Sequence, residues 1–137
     1  MIRRVFSFDK NLLYDCFYIA NQFMDVGTFA VWTEWMYSVD CRQSIMFVDE
    51  KENGYLKGFL LGSIKQNSAV VDNLFVDRPF QRAGVGGALM DAYEDFARRC
   101  GAKQIKLQSR PTKQAVEFYR KRGFVKTNLE YHMQKSL

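Results

Sequence analysis

The spacing of apolar residues along this chain changes from two to three-and-four and back several times, and each change marks an element. Alternating or short continuous apolar runs bounded by Gly, Asn or Pro read as strands, and apolar residues three and four apart read as helices. Residues 2–8 open as a strand. Residues 10–24 carry Leu13, Phe17 and Ala20 along one side and read as a helix that Gly27 ends. Residues 31–39 form a second, short helix with Trp32, Trp35 and Met36 on one side. Residues 44–49 and 55–65 are two strands joined at Glu52, Asn53 and Gly54, where Asn-Gly favours a tight reversal. A further strand, 69–76, returns through Gln66, Asn67 and Ser68.

The helical period resumes at residues 85–99, with Val85, Ala88, Leu89, Ala92 and Phe96 predicted on the buried face and Gly101 as the cap. A strand at 105–108, a helix at 113–122 and two short strands at 124–127 and 130–135 complete the chain. One strand, two helices, three meandering strands, then helix, strand, helix and strands make a mixed α/β sheet. No repeat, low-complexity run or long linker interrupts it. At 137 residues the chain suits one domain spanning 1–137.

Composition narrows the class. Hydrophobic residues make up 47% and aromatics 15%, too much for a disordered chain. No apolar run approaches the roughly 20 residues of a membrane span, so no membrane association is expected. Three separated cysteines, a single histidine and no Cys-x-x-Cys give no zinc pattern; no metal is expected, and a reduced cytoplasm is the expected compartment. The formal charge of +5 fits either nucleic acid or a polyanionic ligand. The basic residues form no long arm. Arg98 and Arg99 close one helix and Arg120 to Arg122 another, so nucleic-acid binding is not the expectation.

The segment after the 69–76 strand carries the most chemistry. A loop with Arg78, Pro79, Gln81 and Arg82 leads into Ala83, Gly84, Val85, Gly86 and Gly87, which open the next helix. A helix N-terminus has unpaired N–H groups and partial positive charge, and glycines let an anion touch those donors. A Walker loop is excluded, because Gly86-Gly87-Ala88 lacks its Lys and Ser/Thr. A Rossmann loop is excluded too, since Leu89 stands at the third glycine place and a Pro-containing loop intervenes.

The strand, the Pro loop and Gln81-x-x-Gly84-x-Gly86 together resemble the acetyl-coenzyme A loop of the GCN5-related N-acetyltransferases. Ala115 to Phe124, with Phe118, Tyr119 and Gly123, resembles that family's late helix and its aromatic-Tyr turn. The resemblance runs from the mid-chain strands to the C-terminus; the first forty or so residues match in pattern only. It implies a mostly antiparallel central sheet flanked by helices, with a splayed pair of central strands. It further implies an enzyme that moves the acetyl group of acetyl-coenzyme A to a primary amine, directly and within a ternary complex. Residues 81–87 would hold the pyrophosphate. Phe75 and Val76 would pair with the pantetheine arm, and the Leu74 amide would face the thioester carbonyl. Phe118 would line the arm, and Tyr119 would protonate the leaving thiolate. Thr112 stands where the family often has an Asn that contacts the arm.

The base is less determined. Asp72 lies an even number of residues before Leu74 and Val76, so a regular strand would put all three on one face. It is equally a sheet-edge acid that orders a loop; Asp77 is a lesser candidate, and His132 reads as structural. Tyr14, Tyr18, Phe23, Phe29, Trp32, Trp35 and Tyr37, with Asp25, Glu34 and Asp40 among them, could receive a cationic small-molecule or peptide amine. Core packing or a homodimer surface explains the same aromatics. The acceptor stays open among a protein N-terminus, lysine, polyamine, aminoglycoside or small metabolite. The alternative function is a non-catalytic acyl-coenzyme A binding or sensor module.

Overall fold

The computed structural model describes residues 1–38 and 44–137. Strand β1 (Ile2–Val5) is followed by helices α1 (Lys10–Ala20) and α2 (Phe29–Ser38). Strands β2 (Ser44–Glu50), β3 (Leu56–Lys65) and β4 (Ser68–Val76) then meander. A 3-10 turn (Arg78–Phe80), α3 (Val85–Arg99), β5 (Gln104–Gln108), α4 (Lys113–Lys121), β6 (Val125–Lys126) and β7 (His132–Ser136) complete the order. The seven strands form one sheet in the order β1-β2-β3-β4-β5-β7-β6. All pairs are antiparallel except β4 and β5. The expected mixed, mostly antiparallel sheet is therefore the observed one.

Each sheet face carries its own core. Leu60, Val71, Leu89, Tyr93, Ile105 and Phe124 pack with α3 on one face, joined by Leu74, Val76, Phe118 and Tyr119. Leu13, Ile19, Trp32, Met36, Phe59 and Phe75 pack with α1 and α2 on the other. Trp32 is core, its indole N–H donating to the Leu13 carbonyl at 3.1 Å.

Several boundaries differ from the sequence reading, each for a local reason. α1 stops at Ala20, not near 24, because the amides of Gln22 and Phe23 tighten onto the carbonyls of Ile19 and Ala20. That frees Gln22 and Phe23 to turn toward the sheet. Strand β1 ends at Val5, whose partner Met46 is the last β2 residue it pairs with. The predicted helix end at Val39, and the expectations on Asp40 and Cys41, lie outside the described residues. The buried face of α3 is rotated from the predicted one: Met90, Tyr93, Glu94 and Ala97 are buried, while Ala88, Ala92 and Phe96 sit at its margin.

Glycine in β3 explains part of that rotation. A Cβ on Gly62 would lie 2.5 Å from the Tyr93 ring, so the missing side chain leaves the notch that Tyr93 fills. Its hydroxyl lies 2.7 Å from the Val70 carbonyl and 3.0 Å from that of Ser63. At this level the β3–β4 ladder slips: Leu61 pairs with Asn73 and Gly62 with Val71, leaving Asp72 as the extra residue of a bulge.

Candidate functional site

β4 and β5 part company above the bulge. They pair only from Ser68–Gln104 to Val71–Leu107, whereas β4 continues to Val76. The end of β5 turns to the other side, with Gln108 opposite His132 and the Ser109 amide donating to the Tyr131 carbonyl at 2.7 Å. Residues 72–76 thus have a free edge facing an opening wedge. Antiparallel strands alternate the direction of their amides. The Asp77 amide donates to the Lys57 carbonyl of β3, so the amides of Leu74 and Val76 point the opposite way, into the wedge. The Val76 carbonyl also faces it and accepts from Gln81 Nε2 at 3.3 Å.

The glycine turn closes the end of the wedge. Arg82 and Gly84 both adopt left-handed backbone, at φ 62° and 84°, a curl that gathers successive N–H groups into a concavity. The other three helices have side-chain caps: Asp9 accepts from Leu12, Thr28 from Val31 and Thr112 from Ala115. Gly84 gives α3 none, so its first amides stay available to an outside anion. A Cβ at Gly84 would meet open space, and one at Gly86 would only graze Phe118 at 3.5 Å. Neither glycine is required by crowding within the protein at the Cβ position. Thr112, expected beside the cofactor arm, spends its hydroxyl on this capping of α4.

Tyr119 approaches from α4. Its ring meets Phe118 and Phe124 edge-on, at 5.0 and 5.7 Å. Burial pushes its phenol up to about 12, against the opposing pull of Arg110 and Arg122. The helix is fixed from below: Arg122 bonds Asp91 at 2.6 Å and Glu94 at 3.0 Å, and Lys135 bonds Glu94 at 2.8 Å. A buried carboxylate clasped by Arg122 and Lys135, with Arg98 of α3 itself a third cation at 3.7 Å, holds α3, α4 and β7 in one arrangement. Glu94 reads in sequence as a surface helix residue, because its partners are 28 and 41 positions away.

The other face of the wedge belongs to Phe75, Phe23 and Arg110. Phe23 stacks on Phe75 at 5.8 Å, and the Arg110 and Arg78 guanidinium carbons lie 5.0 and 5.6 Å from the Phe23 ring centroid. Asp77 is 1% exposed; its carboxylate accepts from Gln22 at 2.7 Å and from the Tyr55 hydroxyl at 2.9 Å. It ties the segment after α1 to the start of the loop that leads into α3 and is consumed in doing so. Of the other aromatics expected at the acceptor site, Tyr14 and Tyr18 line a depression with Gln22, Asp77 and Arg78. Tyr14 and Tyr18 are exposed along α1, bordering open depressions of about 460 and 420 Å³ that include neither Leu74 nor Tyr119. Trp35 and Tyr37 are exposed on α2.

Asp72 does not share a face with Leu74 and Val76. Since Asp72 is the bulged residue, alternation restarts between Val71 and Leu74. Leu74 and Val76 face α3, whereas Asp72 accepts from Ser63 Oγ at 3.3 Å on the opposite side and is exposed. Burial raises its carboxyl, partly offset by Ser63 and Lys65. His132 is held locally, Nδ1 lying 3.0 Å from the Glu130 carbonyl. Arg110, Gln22 and the Gly62–Tyr93 notch were missed by sequence reasoning. Gly58 and Gly62, on one face of a predicted strand, were the available signal for a close approach.

Among the described residues no group of three His, Cys, Asp or Glu is placed to hold a metal ion, and no helix is long and apolar enough to cross a membrane. Residues 20–136 match the family model described as an acetyltransferase (GNAT) domain. No curated protein sequence matches the chain. The fold is similar to that of the PaiA N-acetyltransferase of Thermoplasma acidophilum, solved with coenzyme A, at 16% identity and TM-score 0.74, covering 100% of this chain and 99% of that one. It is similar also to Ard1 of Thermoplasma volcanium, at 25% identity and TM-score 0.77, covering 100% and 97%. The ribosomal-protein-S18-alanine N-acetyltransferase of Escherichia coli gives 18% identity and TM-score 0.77, covering 99% and 94%. With such a model spanning most of its length and a wedge of this geometry, the chain belongs to the GNAT family of acetyltransferases.

Proposed function

We propose that the whole chain works as one N-acetyltransferase domain, moving acetyl from acetyl-coenzyme A to a primary amine directly, within a ternary complex. The observation that carries this reading is the wedge: two β4 amides turned to a free edge, with an uncapped glycine turn at its end and a phenol beside it. The amides of residues 84–87 receive the pyrophosphate, and Arg82 adds charge. The free edge of Phe75 and Val76 pairs with the pantetheine amides as an added strand would. The Leu74 amide donates to the thioester oxygen, most strongly when it carries negative charge in the transition state.

The amine nitrogen bonds to the carbonyl carbon, the C–S bond breaks, and the thiolate takes the Tyr119 proton. A phenol held well above neutral pH is always protonated at the start of the cycle. The ammonium proton leaves through water, with Asp72 as the carboxylate that receives it on the acceptor face. Its raised pKa favours that role. Unpaired Cys16 and Cys100 suit a reducing compartment such as the cytoplasm.

Turnover of acetyl-coenzyme A with an amine library, followed by mass detection of products, tests the reading. Intersecting initial-velocity lines are expected; parallel lines would indicate a covalent acetyl-enzyme and refute direct transfer. Tight binding without turnover of any amine would leave a binding or sensor module in its place.

A further inference from the structure

Two cations, Arg110 and Arg78, gather on Phe23 at the acceptor face of the wedge, where the sequence suggested aromatics with acids among them. The last β4–β5 pair is Val71–Leu107, and beyond it Phe75 and Arg110 both reach Phe23 from opposite sides of the gap. Phe23 bridges them, stacked on Phe75 and 5.0 Å from the Arg110 guanidinium carbon. Arg110 also acts on Tyr119, so its charge is felt on both sides of the opening. It makes no ion pair among the described residues. Arg78, the second cation on Phe23, is held in place through its Nη2, which donates to the Gln22 carbonyl at 2.8 Å. The nearest acid of that loop, Asp77, is buried and already accepts two hydrogen bonds. A guanidinium resting on a ring is pre-organised and keeps its N–H fork for two oxygens of a carboxylate or phosphate.

Resting on the acetyltransferase reading, we propose that the acceptor is a small amine carrying an oxyanion, carboxylate or phosphate, close to its nucleophilic nitrogen, and that Arg110 with Arg78 binds that oxyanion. Leu74 and Phe75 are consecutive, so the oxyanion sits only a few bonds from the nitrogen that meets the acetyl carbon. Long polyamines, whose charges are all positive, are repelled from the same place.

The test compares matched amines: an α-amino acid against its amide, and phosphoethanolamine against ethanolamine. The anionic member of at least one pair is expected to exceed its neutral partner by tenfold or more in kcat/KM, mainly through KM, and the pair that responds identifies the oxyanion. Arg110→Gln collapses that ratio to within about threefold, Arg110→Lys retains part of it, and Arg78→Gln reduces it less. Arg110 is exposed, so these variants fold. A wild-type enzyme that prefers the neutral partners, or an Arg110→Gln variant that keeps the full preference, overturns the proposal. Loss of acetyl-coenzyme A affinity in Arg110→Gln with an unchanged ratio would assign Arg110 to the donor and overturn it too. Tight acetyl-coenzyme A binding, with turnover of neutral amines but neither anionic one, also refutes it. Absence of acetyl-coenzyme A binding would refute the acetyltransferase reading itself.

Discussion

Gly86→Ala is expected to stabilise the protein while weakening its hold on acetyl-coenzyme A, and the opposite signs make the substitution informative. In the folded chain the added methyl meets Phe118 Cζ at 3.5 Å and Val76 Cγ2 at 3.7 Å, ordinary van der Waals distances that require no movement. Gly86 does not stand at positive φ, so alanine meets no backbone strain. Alanine for glycine in a helix is worth roughly 0.5–1 kcal/mol, and a first-turn position takes the lower end. A gain of that size raises Tm by about 2 °C. The same methyl stands on the first turn of α3, whose uncapped amides are proposed to receive a pyrophosphate oxygen. Loss of one hydrogen bond to a charged group costs about 1.5–3 kcal/mol, which weakens binding roughly 10- to 150-fold. Calorimetric titration with acetyl-coenzyme A, beside melting curves with and without it, reads both signs. An unchanged Kd would refute the placement of the pyrophosphate at this turn. A lowered Tm without ligand would refute the packing argument.

Tyr119→Phe is expected to keep acetyl-coenzyme A affinity and lower kcat by about 10²- to 10⁴-fold; an unchanged rate, where chemistry is limiting, would show that water protonates the thiolate. Gly62→Ala forces a Cβ to 2.5 Å from the Tyr93 ring and 2.7 Å from the Val70 carbonyl; a loss of about 3 kcal/mol or more is expected in denaturant melts, and a wild-type midpoint would disprove the notch. Alkaline stability should fall between pH 10 and 12. There the folded chain keeps the Tyr119 proton, and that of Tyr93, whose pKa burial raises further, while the unfolded chain has lost both, at up to about 1.4 kcal/mol per pH unit for each phenol. Urea midpoints at pH 9.5 and 11 check this, and a Tyr119→Phe variant with the wild-type slope would exclude that phenol. Asp72→Asn is expected to lower kcat/KM most at low pH, where the acceptor is ammonium; a loss equal at all pH values would mark Asp72 as structural.

The order of elements, the mixed sheet and the glycine turn that opens α3 are legible in the amino-acid sequence. These follow from local rules: period two or three-and-four, Asn-Gly at a reversal, and unpaired amides beside glycine. Phe118 and Tyr119 could be placed on a helix face for the same reason. What faces what depends on packing between distant elements. The bulge at Asp72 is invisible to alternation because it comes from a notch in another strand, Gly62, filled by Tyr93 of a helix thirty-one residues further on. That one extra residue moves Asp72 off the face of Leu74. Glu94 is buried on a polar-looking stretch of α3 because Arg122 and Lys135 reach it from distant elements. A residue's periodic position fixes its side within one element. Its partner, and hence its chemistry, depends on contacts whose sequence separation carries no periodic signal.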